Sequence, residues 1–180
     1  MGGSALLNAK TVLDLAGVEP GMCVLDCSAG QTGHLLVPAA DRVGSRGKVY
    51  GVTVLKEDLD RMDGHPHYEN HPHLQMVRGN YFRHEGVPLD PSTADRIFFI
   101  NQLYTIDNLE AFLHEMARLV TRKGELWIID WRRSSRHPVA PSNDHRVDAL
   151  RLERALASLG LQTKPHSIGQ DHFALRVQFS

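Results

Sequence analysis

The apolar residues of this chain follow two alternating spacings, which predict strands and helices in turn. Short apolar or alternating runs, such as the one from Ile97 to Ile100, are typical of strands buried in a sheet. Longer segments with apolar residues three and four positions apart predict amphipathic helices. The predicted strands cover residues 22–27, 48–54, 74–77, 94–100, 126–130, 162–168 and 172–179. The predicted helices cover residues 4–16, 33–43, 56–62, 144–159 and a segment that begins at Leu109 and is terminated by residues 122–124.

Strands and helices alternate along most of the chain, and the last two strands follow each other directly. The alternation predicts an α/β fold, with helices on both faces of a mostly parallel sheet. The final pair, joined around residues 169–171, predicts a hairpin and therefore an antiparallel end of the sheet. No linker or internal repeat interrupts the pattern. We therefore predict a single domain over residues 1–180, in which residues 1–17 contribute a short N-terminal helix.

A turn of small residues follows the first predicted strand. Residues 24–34 read Val-Leu-Asp-Cys-Ser-Ala-Gly-Gln-Thr-Gly-His, and they lead from an apolar strand into a helical pattern. A second strand follows within thirty residues. This order of strand, glycine turn, helix and strand lets the backbone approach a nucleotide-like ligand closely. The segment therefore predicts a site for an adenosine-type cofactor.

Charge, hydropathy and cysteine spacing narrow the possible partners and location. The formal net charge is −1, so no overall field attracts nucleic acid or an anionic membrane. No run approaches the roughly 20 apolar residues of a membrane helix. Cys23 and Cys27 lie four residues apart on one predicted strand, and at about 3.3 Å per residue they exceed the reach of a disulfide. We expect reduced thiols and a cytoplasmic protein.

Several segments, taken in order, resemble the motifs of class I S-adenosylmethionine-dependent methyltransferases. They are the turn at 26–33 and the segments 47–52, 94–101, 109–124, 127–131 and 144–147. The resemblance extends over about residues 6–179 and is closest to the small type related to quinone-biosynthesis C-methyltransferases. It implies a Rossmann-like fold with seven strands, of which the last is antiparallel. It also implies S-adenosylmethionine as cofactor, S-adenosylhomocysteine as product, and methyl transfer to an acceptor that the sequence does not identify.

The resemblance also implies which residues bind the cofactor. These are Asp26, Ser28, Ala29, Gly30, Gly33, Thr53, Val54, Asn80, Tyr81 and Asn101. Several positions depart from the family pattern. Ser28 and Thr32 stand where glycine is usual, and the hydroxyl of Ser28 could bind the carboxylate of the ligand or its Cβ could crowd the methionine part. Asn80 stands where an aspartate is usual, and its carbonyl could still accept the adenine amine. Tyr81 could stack on adenine.

Thr53 stands where the family has an acid that binds the ribose hydroxyls. A threonine offers one hydroxyl and no charge, so it is a weaker partner for the ribose. No arginine stands beside Thr53 to bind a 2′-phosphate either. The lack of both an acid and an arginine argues against nicotinamide dinucleotides as the ligand. Glu57 or Asp58 could substitute as the acid, but their place at a helix start also suits stabilisation of the helix N-terminus. Another nucleoside-like ligand is a further alternative.

The candidate catalytic residues are Tyr104 and His145. Residues 101–104 follow the fourth strand at its carboxyl end, where α/β sheets place ligand chemistry. A basic cluster, formed by Arg132, Arg133, Arg136, His137, His145 and Arg146, could bind an anionic substrate or be a solvated loop. His65, His67, His71 and His73 have metal-like spacing, but Pro66 and Pro72 split the pairs and a polar loop is the preferred interpretation.

The departures from the family pattern at Ser28, Thr53 and Asn80 support an alternative to catalysis. In that alternative the chain is a degenerate methyltransferase fold that serves as a binding or partner subunit. The acceptor, small or macromolecular, remains open, and a homodimer is possible under either hypothesis. Few residues remain outside the core pattern, which implies an open acceptor pocket, a large acceptor, or a partner chain that completes the site.

Overall fold

A computed structural model describes residues 7–29, 33–62, 68 and 70–179 of the chain. Its seven strands form one sheet in the order β3-β2-β1-β4-β5-β7-β6. The strands are β1 (Cys23–Asp26), β2 (Lys48–Thr53), β3 (Leu74–Arg78), β4 (Ala94–Ile100), β5 (Val120–Trp131), β6 (Gln162–Ile168) and β7 (His172–Gln178). Strands β1 to β5 pair in parallel, whereas β7 is antiparallel to both β5 and β6. The predicted fold class is confirmed.

Helices cover both faces of the sheet. They are α1 (Ala9–Leu15), α2 (Leu36–Val43), α3 (Lys56–Met62), α4 (Leu109–Leu119) and α5 (Ala149–Ser158), with short 3₁₀ turns at Leu103–Thr105 and Asn143–His145. Successive side chains of a strand point to opposite faces. Phe98 accordingly packs in the core beneath α1 and α2, and Phe99 in the core beneath α4 and α5; both are fully buried. In the described part of the chain, no helix combines the length and apolar character needed to cross a membrane.

The junction between α4 and β5 differs from the prediction. The helix ends at Leu119 and the strand begins at Val120, whereas the sequence predicted termination at 122–124. The backbone N–H groups of Ser92 and Thr93 donate to the last carbonyls of the helix, those of Arg118 and Leu119, at 2.8 and 2.9 Å. The chain that leads into β4 therefore ends α4 early by satisfying its free carbonyls.

The last helix also begins later than predicted. It starts at Ala149, with Asp148 as the N-cap that accepts from the N–H of Arg151 at 3.0 Å. Before it, the guanidinium of Arg146 donates to the carbonyls of Ser135 and Pro141, each at 2.6 Å. These tertiary bonds hold residues 143–148 outside the helix. At the other end of the chain, Asn8 caps α1, and the predicted cap Ser4 lies outside the described residues.

Candidate active site

The polar residues singled out in the sequence gather at the carboxyl ends of the parallel strands. Strand β1 lies between β2 and β4, so the order of strands reverses beside it. At such a point the connections leave in opposite directions and open a crevice above the sheet. Asp26 ends β1, Thr53 ends β2, and Asn101 follows β4. The fold thus brings these three to one edge.

Asp26 and Ser28 form a buried hydrogen-bonded unit. Asp26 is 3% exposed, and its Oδ1 accepts from the backbone N–H and the hydroxyl of Ser28 at 2.8 and 2.7 Å. The same hydroxyl accepts from the N–H of Ile100 at 2.9 Å. Burial raises the pKa of Asp26 to about 6, against the lowering effect of the Ser28 hydrogen bonds. The Ser28 hydroxyl therefore ties the first turn to the end of β4.

The turn after β1 closes tightly onto α2. Ala29 is buried, and its carbonyl accepts from the N–H of Gly33 at 2.9 Å. Gly33 has φ +52°, a backbone conformation that glycine adopts without the cost a side chain would add. Gly30 and Thr32, also named from the sequence, lie outside the described residues.

At the end of β2, Thr53 is paired with a carboxylate from α3. The Thr53 hydroxyl donates to Oδ2 of Asp58 at 2.9 Å and accepts from the N–H of Leu55 at 3.1 Å. Thr53 and Asp58 are both buried, and Oδ1 of Asp58 has no hydrogen-bond partner among the described residues. Val54 and Leu55 follow the strand with exposed apolar side chains. Thr53, which stands where an acid is expected at the strand end, therefore has a carboxylate beside it, that of Asp58 five residues further along the chain.

Asn80 and Tyr81 are engaged mainly by the protein itself. The side-chain carbonyl of Asn80 accepts from the N–H of Phe82 at 3.0 Å. The Tyr81 hydroxyl donates to Gln102 at 3.1 Å, and its ring lies edge-on to Phe82 and Phe99 with centroids 4.5 and 5.7 Å apart. Tyr81 is 5% exposed, and burial raises its pKa above the usual value. Little of this ring is open to a stacking base.

Asn101 combines backbone strain with unmet polar atoms. Its φ is +56°, in the left-handed region that side chains rarely adopt. Its side-chain oxygen and nitrogen are buried and have no partner within the described chain. Strained residues and orphaned polar atoms of this kind cluster where a ligand binds. Together with Oδ1 of Asp58, they give this edge acceptors and a donor that suit a polar nucleoside ligand.

The two candidate catalytic residues meet in the structure. The rings of Tyr104 and His145 lie edge to face with centroids 5.5 Å apart, and Tyr104 is 54% exposed. His145 Nδ1 lies 2.9 Å from the Ser142 hydroxyl. The loop after β5 thus leans against the turn after β4, next to Asn101 and on the open side of the edge.

Asp130, to which the sequence pattern assigned no role, positions the Tyr104 turn. It is the last but one residue of β5, is 2% exposed, and accepts from the N–H groups of Leu103 and Trp131 at 2.9 and 2.6 Å. Burial raises its pKa to about 6, while these bonds lower it. An acid directly after an apolar strand was the only sequence signal for this position.

Only some arginines of the basic cluster bond to the described part of the protein. Arg146 donates to backbone carbonyls, whereas the guanidinium groups of Arg132, Arg133 and Arg136 make no ion pair or hydrogen bond with other described residues. His137 lies 6.2 Å from the ring of Trp131. The unused guanidinium groups remain available to an anion.

The two described histidines of the histidine loop, His71 and His73, contact helix α2. His71 Nε2 lies 2.9 Å from an Asp41 oxygen, and His73 Nε2 lies 3.0 Å from the Ala40 carbonyl, so both reach α2. His65 and His67 lie outside the described residues. Among the residues that the structure describes, no three histidine, cysteine or acidic side chains are placed to hold a metal ion.

Comparison with known proteins gives a consistent set of similarities. Residues 25–128 match the family model described as a methyltransferase domain. A ubiquinone/menaquinone biosynthesis C-methyltransferase of Hydrogenovibrio crunogenus is 26% identical over 135 residues, which are 75% of this chain and 52% of the relative. A 2-phytyl-1,4-naphtoquinone methyltransferase of Trichormus variabilis is 25% identical over 176 residues, covering 91% of this chain and 75% of the relative.

A solved structure supports the fold over almost the whole chain. A SAM-dependent methyltransferase from Aquifex aeolicus superposes with a TM-score of 0.86 at 23% identity, covering 98% of this chain and 93% of that one. The chain spans about half the length of the first curated relative.

Proposed function

The chain belongs to the methyltransferase domain family, and we propose that it transfers a methyl group from S-adenosylmethionine to an acceptor bound beside Tyr104 and His145. The observation that carries the proposal is the set of unmet polar atoms on Asn101 and Asp58 at the carboxyl edge of the sheet. The edge lies within the part of the chain that matches the family, so a ligand of this family would meet those atoms.

The residues that would hold the cofactor are those that the sequence resemblance named. The turn of Asp26, Ser28, Ala29, Gly30 and Gly33 would receive the amino-acid part, Thr53 and Val54 the ribose side, Asn80 and Tyr81 the adenine side, and Asn101 the centre. The sulfonium of S-adenosylmethionine supplies a methyl group that is already activated. The protein's part is to align donor and acceptor at about 3–3.5 Å and to exclude water.

The acceptor is proposed to carry a negative charge. Arg132, Arg133 and Arg136 follow β5 in the same loop that leads to His145, and they have no acidic partner in the described chain. Guanidinium groups bind carboxylates and phosphates through paired hydrogen bonds, so an anionic acceptor would use them. The quinone methyltransferases among the relatives are 25–26% identical, which supports the reaction class rather than the same acceptor.

His145 is proposed to take the proton that an ionisable acceptor loses. In the tautomer that donates Nδ1–H to Ser142, Nε2 carries a free lone pair, and no described residue bonds it. Tyr104 would then hold the imidazole through its ring contact. Cys23 and Cys27 are free thiols, which supports a reducing cytoplasm as the place of action.

Calorimetry with S-adenosylmethionine and S-adenosylhomocysteine tests the proposal first. We expect saturable binding of both, and the absence of binding up to millimolar ligand would refute it. Incubation with methyl-deuterated S-adenosylmethionine and a metabolite extract, read by mass spectrometry, then tests transfer. Binding without any labelled product would favour the degenerate binding subunit, which the comparisons do not support.

A matched pair of variants tests the role of His145. We expect His145→Asn to lower the rate of transfer to an ionisable acceptor by about 100-fold, as loss of general base catalysis does, with unchanged affinity for S-adenosylhomocysteine. His114→Asn, which alters an exposed histidine on α4, is the control. Equal rates for the two variants would remove His145 from the mechanism.

A further inference from the structure

We infer that Asp58 supplies the carboxylate that binds the ribose of the cofactor, in place of the acid that Thr53 replaces at the end of β2. The inference rests on the proposed function and specifies how one part of the site works. Sequence alone left Asp58 open between this role and stabilisation of the helix N-terminus. The contacts of its two oxygens favour the first role.

The carboxylate of Asp58 is buried and only half satisfied. Asp58 is 4% exposed; Oδ2 accepts from the Thr53 hydroxyl at 2.9 Å, while Oδ1 is buried without a donor among the described residues. An unpaired carboxylate oxygen is costly to bury, so its position calls for a donor that the described part of the chain does not provide. A ligand hydroxyl is such a donor.

The side chain does not act as a helix cap. A capping carboxylate accepts from backbone N–H groups of the first turn. Asp58 instead accepts from a side chain, and the N–H of Leu55 donates to Thr53 Oγ1. The other acid of this turn, Glu57, is exposed and suits the helix N-terminus better. The hydrogen bond from the Thr53 hydroxyl thus holds the Asp58 carboxylate at the end of strand β2.

The position agrees with the shape of a nucleoside. Asp26 pairs with Gly51 in register, so Thr53 lies two residues further along β2, at the rim of the crevice. The N–H of Gly79 donates to the Thr53 carbonyl at 3.0 Å, which places the Asn80 turn directly beside it. Leu55, 51% exposed, gives an apolar surface next to the buried carboxylate. A flat base and a sugar diol match this pairing of surfaces.

Analogues of S-adenosylhomocysteine test the inference on the wild-type protein by calorimetry. We expect the 2′-deoxy or the 3′-deoxy analogue to bind at least about tenfold more weakly than the parent, because a hydrogen bond to a buried carboxylate is lost. This readout does not depend on the folding of any variant. If the parent binds and both deoxy analogues bind equally well, the inference is wrong while the proposed function stands.

Two substitutions in the same helix turn then identify the residue. Asp58→Asn should weaken S-adenosylhomocysteine by about tenfold or more and reduce its preference over the deoxy analogue, whereas Glu57→Gln should change neither by more than about twofold. Circular dichroism melts verify that each variant is folded. Discrimination by folded Asp58→Asn as strong as in wild type would overturn the assignment, and failure of the wild type to bind the parent would refute both this inference and the proposed function.

Discussion

Replacement of Asp26 by asparagine should stabilise the free protein at neutral pH. Asp26 is buried at the centre of the site, and burial raises its pKa from the ordinary 3.8 to about 6. The folded state therefore holds the proton more tightly than the unfolded chain does. Stability is favoured at low pH and declines as pH rises from about 4 to about 6. Asparagine keeps an acceptor for both Ser28 donors and removes the charge.

The size of the effect follows from the shift in pKa. At about 1.4 kcal/mol per pH unit, the interval from 3.8 to about 6 corresponds to about 3 kcal/mol that the charged carboxyl costs above pH 6. For a chain of this length, that is a rise in Tm of about 6–12 °C. The same substitution should weaken binding of S-adenosylhomocysteine, because a charge that destabilises the fold at a functional site is commonly one that function requires.

Urea denaturation at pH 4, 5, 6, 7 and 8 measures the prediction as a difference between variant and wild type. The advantage of Asp26→Asn should be largest at pH 7–8 and shrink by about 3 kcal/mol toward pH 4. Asp107→Asn, which changes an exposed carboxylate without described bonds, should follow the wild type throughout. A variant that is less stable than wild type at pH 8, or a pH-independent difference, would refute the reasoning.

Three further predictions concern stability. Glu115→Gln should cost about 3–5 kcal/mol in urea denaturation, because this fully buried carboxylate accepts from two backbone N–H groups and from Arg118, whereas Glu110→Gln on the exposed side of α4 should be nearly neutral. Burial lowers the pKa of His172 to about 4, so as the pH falls the histidine is protonated in the unfolded chain before it is protonated in the folded one. The wild type should therefore lose up to about 3 kcal/mol of its free energy of unfolding between pH 6.5 and 4, and His172→Gln should not; identical acid profiles would contradict this. Gly124→Ala should cost about 1–3 kcal/mol in the same assay, because the added Cβ would stand 2.6 Å from a Val120 methyl and 2.7 Å from the Ala94 carbonyl; an unchanged midpoint would show that the junction relaxes.

Much of the fold was predictable because it depends on local patterns. Strand β4 and helix α3 have the predicted bounds, Ala94–Ile100 and Lys56–Met62. An apolar run of this length is buried on both faces of a sheet wherever the sheet closes around it. The ends of the helices were less predictable. Helix α4 ends where the N–H groups of residues 92–93 donate to its carbonyls, and α5 begins just after Arg146, whose guanidinium donates to the Ser135 carbonyl. Residues 92–93 are distant in sequence from the end of α4, and Ser135 lies 11 residues before Arg146, so both contacts depend on how the chain packs.

The candidate site shows the same division. The resemblance to the family named Asp26, Thr53 and Asn101, and their proximity was predictable because residues at the carboxyl ends of parallel strands share one edge of a sheet. It did not predict that the Ser28 hydroxyl accepts from the N–H of Ile100, because that contact forms only when β1 and β4 pair. Nor could it join Tyr104 to His145, or assign Asp130 to the N–H of Leu103, because each contact joins segments that are far apart in sequence.

The amino-acid sequence by itself determined the order of strands and helices, the family, and the edge of the sheet where ligand chemistry lies. Hydrophobic periodicity and turn residues suffice for this, because each acts over a few neighbouring positions. Tertiary structure alone decided which polar groups are satisfied: the Ser28 hydroxyl is used twice, whereas Oδ1 of Asp58 and the Asn101 amide have no partner among the residues that the structure describes. Hydrogen bonds act over about 3 Å, so only the packed chain shows which atoms come that close.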